Sequence, residues 1–326
     1  MGYYKAAIIG LGNIAWKFDR NLANSKNAPQ THAGAYQVHK DTVLVGGCSP
    51  EEKDRVSFAQ EYKAGVFENV DELLDQTNPD IVSVCSPSEF HYEHTLQCLK
   101  AEVPMIWLEK PPVCHLEDIS RLIEKQEHSK STVLVNFQRR YCQCYNQLKE
   151  LYVNQTLGKT EFIHLTYSRG LSLNGSHIID ALFYILGDDI QLSLECILPS
   201  ENGKNPTFVL RPLNCLRIFV TGMSLPYHCL DIVLTCNEGR ASILYGGMKT
   251  KLETKVEHEM FSGFYRLKEQ STHPLGSEGV DGAMSEALRD LIVSHRQKKE
   301  PRSNLRTSRN TLVIIDAVER AMEAAK

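Results

Sequence analysis

The stretch AIIGLGNIA, residues 7–15, constrains the fold of this chain more than any other. It sets Gly10-x-Gly12-x-x-Ala15 directly behind a short apolar run at residues 5–9. Gly10 permits a tight turn, Gly12 lets the backbone approach a pyrophosphate, and Ala15 is small enough for a following helix to pack on the strand. The N–H groups and dipole of that helix would then face the phosphates, with Asn13 and Ile14 in the same cofactor-facing turn. Such a glycine pattern is weak evidence alone. Here it heads an alternating strand–helix series, the context that makes it a dinucleotide site.

Strand patterns at 5–9, 42–47, 80–85, 104–108 and 132–137 alternate with helical patterns at 32–39, 51–62, 70–76, 90–101 and 116–128. Thr31 is the expected N-cap of the first of these helices. Alternation of this kind builds a parallel sheet with helices on both faces. After about residue 130 the pattern changes. Helices are expected at 144–153 and 177–186, with β-prone runs at 160–167, 189–197, 215–221, 228–235 and 240–245. Strands that follow one another without helices point to an open, largely antiparallel sheet in an α+β domain. Two helices, 282–296 and 308–325, close the chain. A length of 326 residues suits two domains. The expected division is an NAD(P)-binding Rossmann domain at 1–125 and an α+β domain at 126–326, the last helix packing back on the first domain. Residues 16–30 form a long polar loop of the kind that often carries function.

A formal net charge of −4 speaks against a nucleic-acid partner, which usually meets a basic stripe. No apolar run approaches the ~18 residues needed to cross a bilayer, and the opening residues lack signal-peptide architecture. The expectation is a cytoplasmic protein without a membrane partner. Gly2 is not read as a lipidation site, because the residues behind it enter a strand. Ten irregularly spaced cysteines, among them Cys85, Cys196 and Cys236 in apolar runs, fit reduced thiols better than disulfides. The pairs Cys142/Cys144 and His91/His94 have no second pair at zinc spacing, so no metal is expected.

The residue closing the second strand should choose the cofactor, since an acidic side chain there accepts the ribose hydroxyls and repels a 2′-phosphate. Ser49 holds that place in CSPEEKDR, with Lys53 and Arg55 close behind. One reading is tolerance of NADP. The other is structural: residues 49–52 as a capping box with Pro50 at the first helical position. Both NAD and NADP stay open.

These motifs resemble the Gfo/Idh/MocA family of NAD(P)-dependent oxidoreductases. The resemblance runs through AIIGLGNIA, THAGAY (31–36), VCSPSEFHYEH (84–94), LEKPP (108–112), NFQRRY (136–141), LGKTEFI (157–163), NGSHIIDALFYILGD (174–188) and KKEPRSN (298–304). The E-K-P tripeptide and the H-x-x-D helix, in this order, are far more specific than the glycines. The resemblance implies oxidation of a secondary alcohol of a sugar, nucleotide sugar or cyclitol, or the reverse. It also implies that the domain at 126–326 serves substrate binding and oligomerisation, forming a homodimer or homotetramer through the second sheet. By position, Lys110 is similar to the family's active-site lysine and His177 to its histidine. Ser86, Pro87, Ser88 and His91 match the loop over the cofactor, and Glu109 either bonds the cofactor or braces its turn. Inositol dehydrogenase-like members carry an aspartate four residues before the histidine. Here that place is Leu173, so an Asp–Lys–His triad is not transferred.

Alcohol oxidation needs a base within ~2.6–3.2 Å of the hydroxyl and with a pKa near the working pH. A free imidazole titrates near ~6.5, so His177 qualifies unaided. Lys110 qualifies only if desolvation lowers its pKa, and otherwise stabilises the developing alkoxide as a cation. The favoured reading is His177 as proton acceptor or relay and Lys110 as positioner, with the swapped roles as the alternative. His177 and Asp180 share a helix face. Asp180, Asn174, Arg169 and Arg140 are the candidate substrate contacts. Retention of Lys110 and His177 argues against the rival class, a non-catalytic protein that only senses cofactor and sugar.

Overall fold

The computed structural model describes residues 3–21, 28–198, 203–212, 216–270, 275 and 279–324. Gly2, Cys215 at the head of an expected strand and Ala325 at the end of the last expected helix lie outside the described residues, as do residues 22–27 of the long loop. The chain divides into two compact units, Met1–Tyr141 with Asp281–Arg309, and Cys142–Val280 with Asn310–Lys326.

In the first unit the strands are β1 (Tyr4–Ile9), β2 (Thr42–Cys48), β3 (Gly65–Phe67), β4 (Ile81–Val84), β5 (Met105–Leu108) and β6 (Thr132–Val135). Between them run α1 (His32–Val38), α2 (Glu52–Tyr62), α3 (Val70–Thr77), α4 (His91–Lys100) and α5 (Leu116–Glu127). All six strands are parallel in the order β3-β2-β1-β4-β5-β6. That order reverses direction between β1 and β4, and ligands bind beyond the carboxyl ends of the strands at such a switch point. The inner strands are buried on both faces, as continuous runs such as Met105–Leu108 require. Rungs pair Ile9 with Val84, Val84 with Leu108, and Leu108 with Val135. The next residues in register, Gly10, Cys85, Glu109 and Asn136, therefore line the carboxyl edge of the sheet.

The first α-helix starts where expected, at His32 behind Thr31 and the long loop. No continuous helix follows the glycine turn. Residues 13–16 make turns and Lys17–Asn21 a 3-10 turn, with Trp16 N–H reaching Gly12 O (3.4 Å) and Phe18 N–H reaching Asn13 O (3.1 Å). The α-helix begins only at His32, whose N–H donates to Ile14 O, while Ala33 N–H donates to Ala15 O. The loop is thus an insertion into one helical path. Thr31 is the N-cap, as expected: Gly34 N–H donates to Thr31 Oγ1, and Thr31 in turn donates to Asp19 Oδ2 from the loop. The capping box at 49–52 is absent. Glu51 is the N-cap of α2 and Ser49 Oγ accepts only the Glu51 N–H, because Ser49 is still held in the sheet by its N–H bond to Phe67 O.

The second unit holds α6 (Gln143–Val153), α7 (Ser176–Leu186) and an eight-stranded sheet. Its strands are β7 (Thr160–Ser168), β8 (Leu192–Leu198), β9 (Thr207–Pro212), β10 (Arg217–Met223), β11 (Leu230–Cys236), β12 (Gly239–Leu244), β13 (Lys249–Glu257) and β14 (Tyr265–Glu269). They run β14-β13-β12-β11-β7-β10-β9-β8, antiparallel except where β7 and β10 pair. Helix α7 lies against β7 and β11, and Tyr184 joins it to α6 by donating to Asn146 Oδ1. Helix α8 (Ala283–Gln297) belongs to the first unit, and α9 (Leu305–Ala324) continues across the boundary. Four strands escaped the sequence pattern: β3, β9, β13 and β14. The sequences KTKLETKVE and YRLKE are too polar to signal burial, and their partners in the sheet stabilise them instead.

Candidate active site

Gly10 sits at φ +86°, and a Cβ placed there would meet Ser86 N and Cα at 2.6 Å. The turn after β1 therefore presses against the exit of β4 with no room for a side chain. At Gly12 a Cβ would meet nothing within 4 Å, so the backbone there borders open space. Those two facts together fit a dinucleotide: one glycine closes the turn, the other leaves a phosphate-sized approach. Asn13 is exposed and Ile14 half-buried beside it.

Ser49 is buried at the end of β2. Arg55 reaches back from α2, and its Nη1 donates to Ser49 O (2.7 Å) and Pro50 O (2.8 Å). A guanidinium thus lies at the strand end where a cofactor ribose would rest.

The loop after β4 carries Ser86, Pro87 and Ser88, the last beginning a short 3-10 turn into α4. His91 is buried, and both its ring nitrogens meet backbone carbonyls, Nε2 at Ser86 O (2.8 Å) and Nδ1 at Pro111 O (2.7 Å). The ring stitches the β4 loop to the chain behind Lys110. His94 Nδ1 lies 2.9 Å from Ser86 Oγ, and burial lowers its pKa from the ordinary value.

Lys110 stands half-buried at the carboxyl end of β5. Burial lowers its pKa, helped by the positive Arg139, while the Glu109 charge opposes the fall. Glu109 faces inward: its Oε1 meets His32 Nε2 at 2.9 Å and accepts from Asn136 Nδ2, and its Oε2 accepts the Lys110 N–H (3.3 Å). Of the two roles expected for Glu109, these contacts match the brace. Neither His32 nor Ser83, which it also contacts, was singled out from the sequence. A signal existed, since a lone serine inside the buried run DIVSVC needs a polar partner.

In the second unit, Gly170 (φ +101°) starts a π-turn over Leu171–Gly175 that delivers the chain into α7. Asn174 is buried there, its Nδ2 3.1 Å from His228 Nδ1. Leu173, at the family's aspartate position, is 51% exposed, so that place contributes no inward carboxylate. His177 is half-buried in the first turn of α7, whereas Asp180 on the same side is fully buried and is no surface charge. Arg169 is exposed with φ +68°. A cavity of about 410 Å³ borders the turn, lined by Leu171, Ser172, Leu173, Lys204, Glu319 and Met322 among others.

Arg140, in the first unit, is fully buried and donates from Nη1 to Arg302 O (3.2 Å). Among the described residues no cluster of His, Cys, Asp or Glu could hold a metal ion, and no helix is long and apolar enough to cross a membrane.

The family described as "Oxidoreductase family, NAD-binding Rossmann fold" matches residues 4–137. Over residues 4–137 the chain is thus similar to the Gfo/Idh/MocA oxidoreductases. A D-glucoside 3-dehydrogenase of Escherichia coli is 30% identical over 206 residues, which are 56% of this chain and 54% of that protein. The chain thus spans about half the length of the relatives it matches. The likeness in fold to solved structures extends over the whole molecule. A dehydrogenase from Chromobacterium violaceum superposes with a TM-score of 0.80, covering 100% of this chain and 97% of that one, at 16% identity. A 3-ketoreductase from Actinomadura kijaniata in complex with NADP gives 0.75 over 98% of each chain, at 15% identity.

Proposed function

We propose that this protein is an NAD(P)-dependent oxidoreductase that interconverts a secondary alcohol and a ketone on a sugar, nucleotide sugar or cyclitol. The observation that carries the reading is the carboxyl edge of the first sheet, where the open approach at Gly12 and the half-buried Lys110 lie on the same side of parallel strands. The names of the relatives, a glucoside 3-dehydrogenase and a 3-ketoreductase, support the same class. Bound along Gly10–Ile14, Ser49 and Ser86–Ser88, a nicotinamide cofactor would supply the redox chemistry. The first unit serves that cofactor and the second the substrate. His177 takes or relays the hydroxyl proton, and Lys110 orients the oxygen and stabilises its developing negative charge. Asn174, Asp180 and Arg169 bind or orient substrate, while Arg140, buried against Arg302 O, braces the chain. His91, with both nitrogens turned to carbonyls, shapes the cofactor loop.

The nine described cysteines are free, which supports a reducing, cytoplasmic setting. Exposed Met260, Phe261, Phe264 and Tyr265 near the β14 edge support self-association through the second sheet.

The test is a screen of sugars, nucleotide sugars and cyclitols with NAD and NADP, read by nicotinamide absorbance. Lys110→Ala and His177→Ala should each abolish turnover of the substrate found, with cofactor affinity kept within a few-fold. Wild-type rates in either variant would refute the assignment.

A further inference from the structure

Beneath the carboxyl edge of the first sheet runs a chain of buried polar groups. Tyr36 Oη lies 2.6 Å from Ser83 Oγ, which lies 2.8 Å from His32 Nδ1. His32 Nε2 reaches Glu109 Oε1 at 2.9 Å, and Glu109 Oε2 accepts the Lys110 backbone N–H. Tyr36, Ser83 and His32 are at most 1% exposed. Every link is satisfied when the tyrosine hydroxyl donates to Ser83, the serine to Nδ1, and Nε2–H to the carboxylate.

Burying polar groups costs free energy unless each is paired, and an apolar side chain at His32 could have packed on Trp107, whose ring centroid is only 4.0 Å from the imidazole. The chain therefore calls for a purpose at its open end, and that end is Lys110. We propose that His32 is a positioning residue for Lys110, acting through Glu109: it pins the carboxylate against the lysine's own amide, so that Lys110 leaves β5 beside a fixed negative charge. Tyr36 and Ser83 set the orientation of the imidazole. Glu109 behaves as this requires. Burial would push its carboxyl up, but the His32 and Asn136 hydrogen bonds and the nearby Lys110 charge hold it below the ordinary value. The inference rests on Lys110 being the active-site lysine, as proposed above.

The test needs no substrate, so it separates from the test of the reaction. The full-length protein is labelled with acetic anhydride across pH 7–11, and acetylation of Lys110 is followed by mass spectrometry. The midpoint of the pH profile reports the lysine's ionisation, and the plateau reports its accessibility to the reagent. In Glu109→Gln the midpoint should fall, so that labelling at pH 8 relative to the plateau rises about tenfold, as a shift of one pH would give. His32→Leu should move it the same way, and His32→Gln, which keeps an N–H donor, should stay close to wild type. Wild-type midpoints in Glu109→Gln and His32→Leu overturn the proposal, as does a His32→Gln midpoint equal to that of His32→Leu. If His32→Leu does not fold, Ser83→Ala takes its place and is read the same way.

Discussion

Alanine at Gly10 and alanine at Gly12 add the same methyl group two residues apart and should fail in different ways. At Gly10 the new Cβ would lie 2.6 Å from Ser86 N and Cα and 2.8 Å from Cys85 C, all backbone atoms that cannot rotate aside. The residue would also have to keep φ +86°, a region that costs an L side chain about 1–2 kcal/mol. Overpacking adds about 1–3 kcal/mol, so the loss is about 2–5 kcal/mol. For a unit of this size each kcal/mol lowers Tm by about 2–4 °C, hence a fall of roughly 4–20 °C. At Gly12 nothing lies within 4 Å, and the stability change should stay within about 0.5 kcal/mol. The methyl group would instead occupy the approach left for the pyrophosphate. A clash of about 1–3 kcal/mol there weakens binding by roughly 5- to 150-fold. Thermal melts without ligand and titrations followed by NAD(P)H fluorescence separate the two effects. The reasoning fails if Gly12→Ala melts as low as Gly10→Ala, or if it binds cofactor like wild type.

Cofactor choice offers a second test. Ser49→Asp should shift preference toward NAD, and Arg55→Ala should weaken NADP more than NAD, since Arg55 lies on the Ser49 and Pro50 carbonyls; unchanged ratios of Kd in both variants would leave Ser49 with only a structural task. The acid limb of stability offers a third. The folded Glu109 carboxyl is held below its ordinary 4.5, so its contribution is present above that value and is lost as pH falls through the folded pKa. Urea midpoints measured from pH 7 to 3 should fall less steeply in Glu109→Gln than in wild type, and parallel curves would contradict the assignment.

The Rossmann unit was legible because its information is local. Apolar runs of four to six residues, a glycine turn and the spacing of helices specify β1, β2, β4, β5 and β6 without knowledge of distant partners. Candidate site positions were readable for the same reason: E-K-P and H-x-x-D are short strings at the ends of elements. Three things were not local. The polar strands β13 and β14 hold their shape through cross-strand neighbours. The first helix resumes after an insertion, because N–H groups at residues 32 and 33 find carbonyls at residues 14 and 15. The inward turn of Glu109 needs His32 and Asn136, one from a helix 77 residues earlier and one from the exit of β6. Sequence alone determined which residues could do chemistry, since side-chain type and local backbone preference are written residue by residue. Only the tertiary structure decided which of them face a ligand and which brace the fold, because a buried charge takes its role from partners that folding, not sequence distance, brings to it.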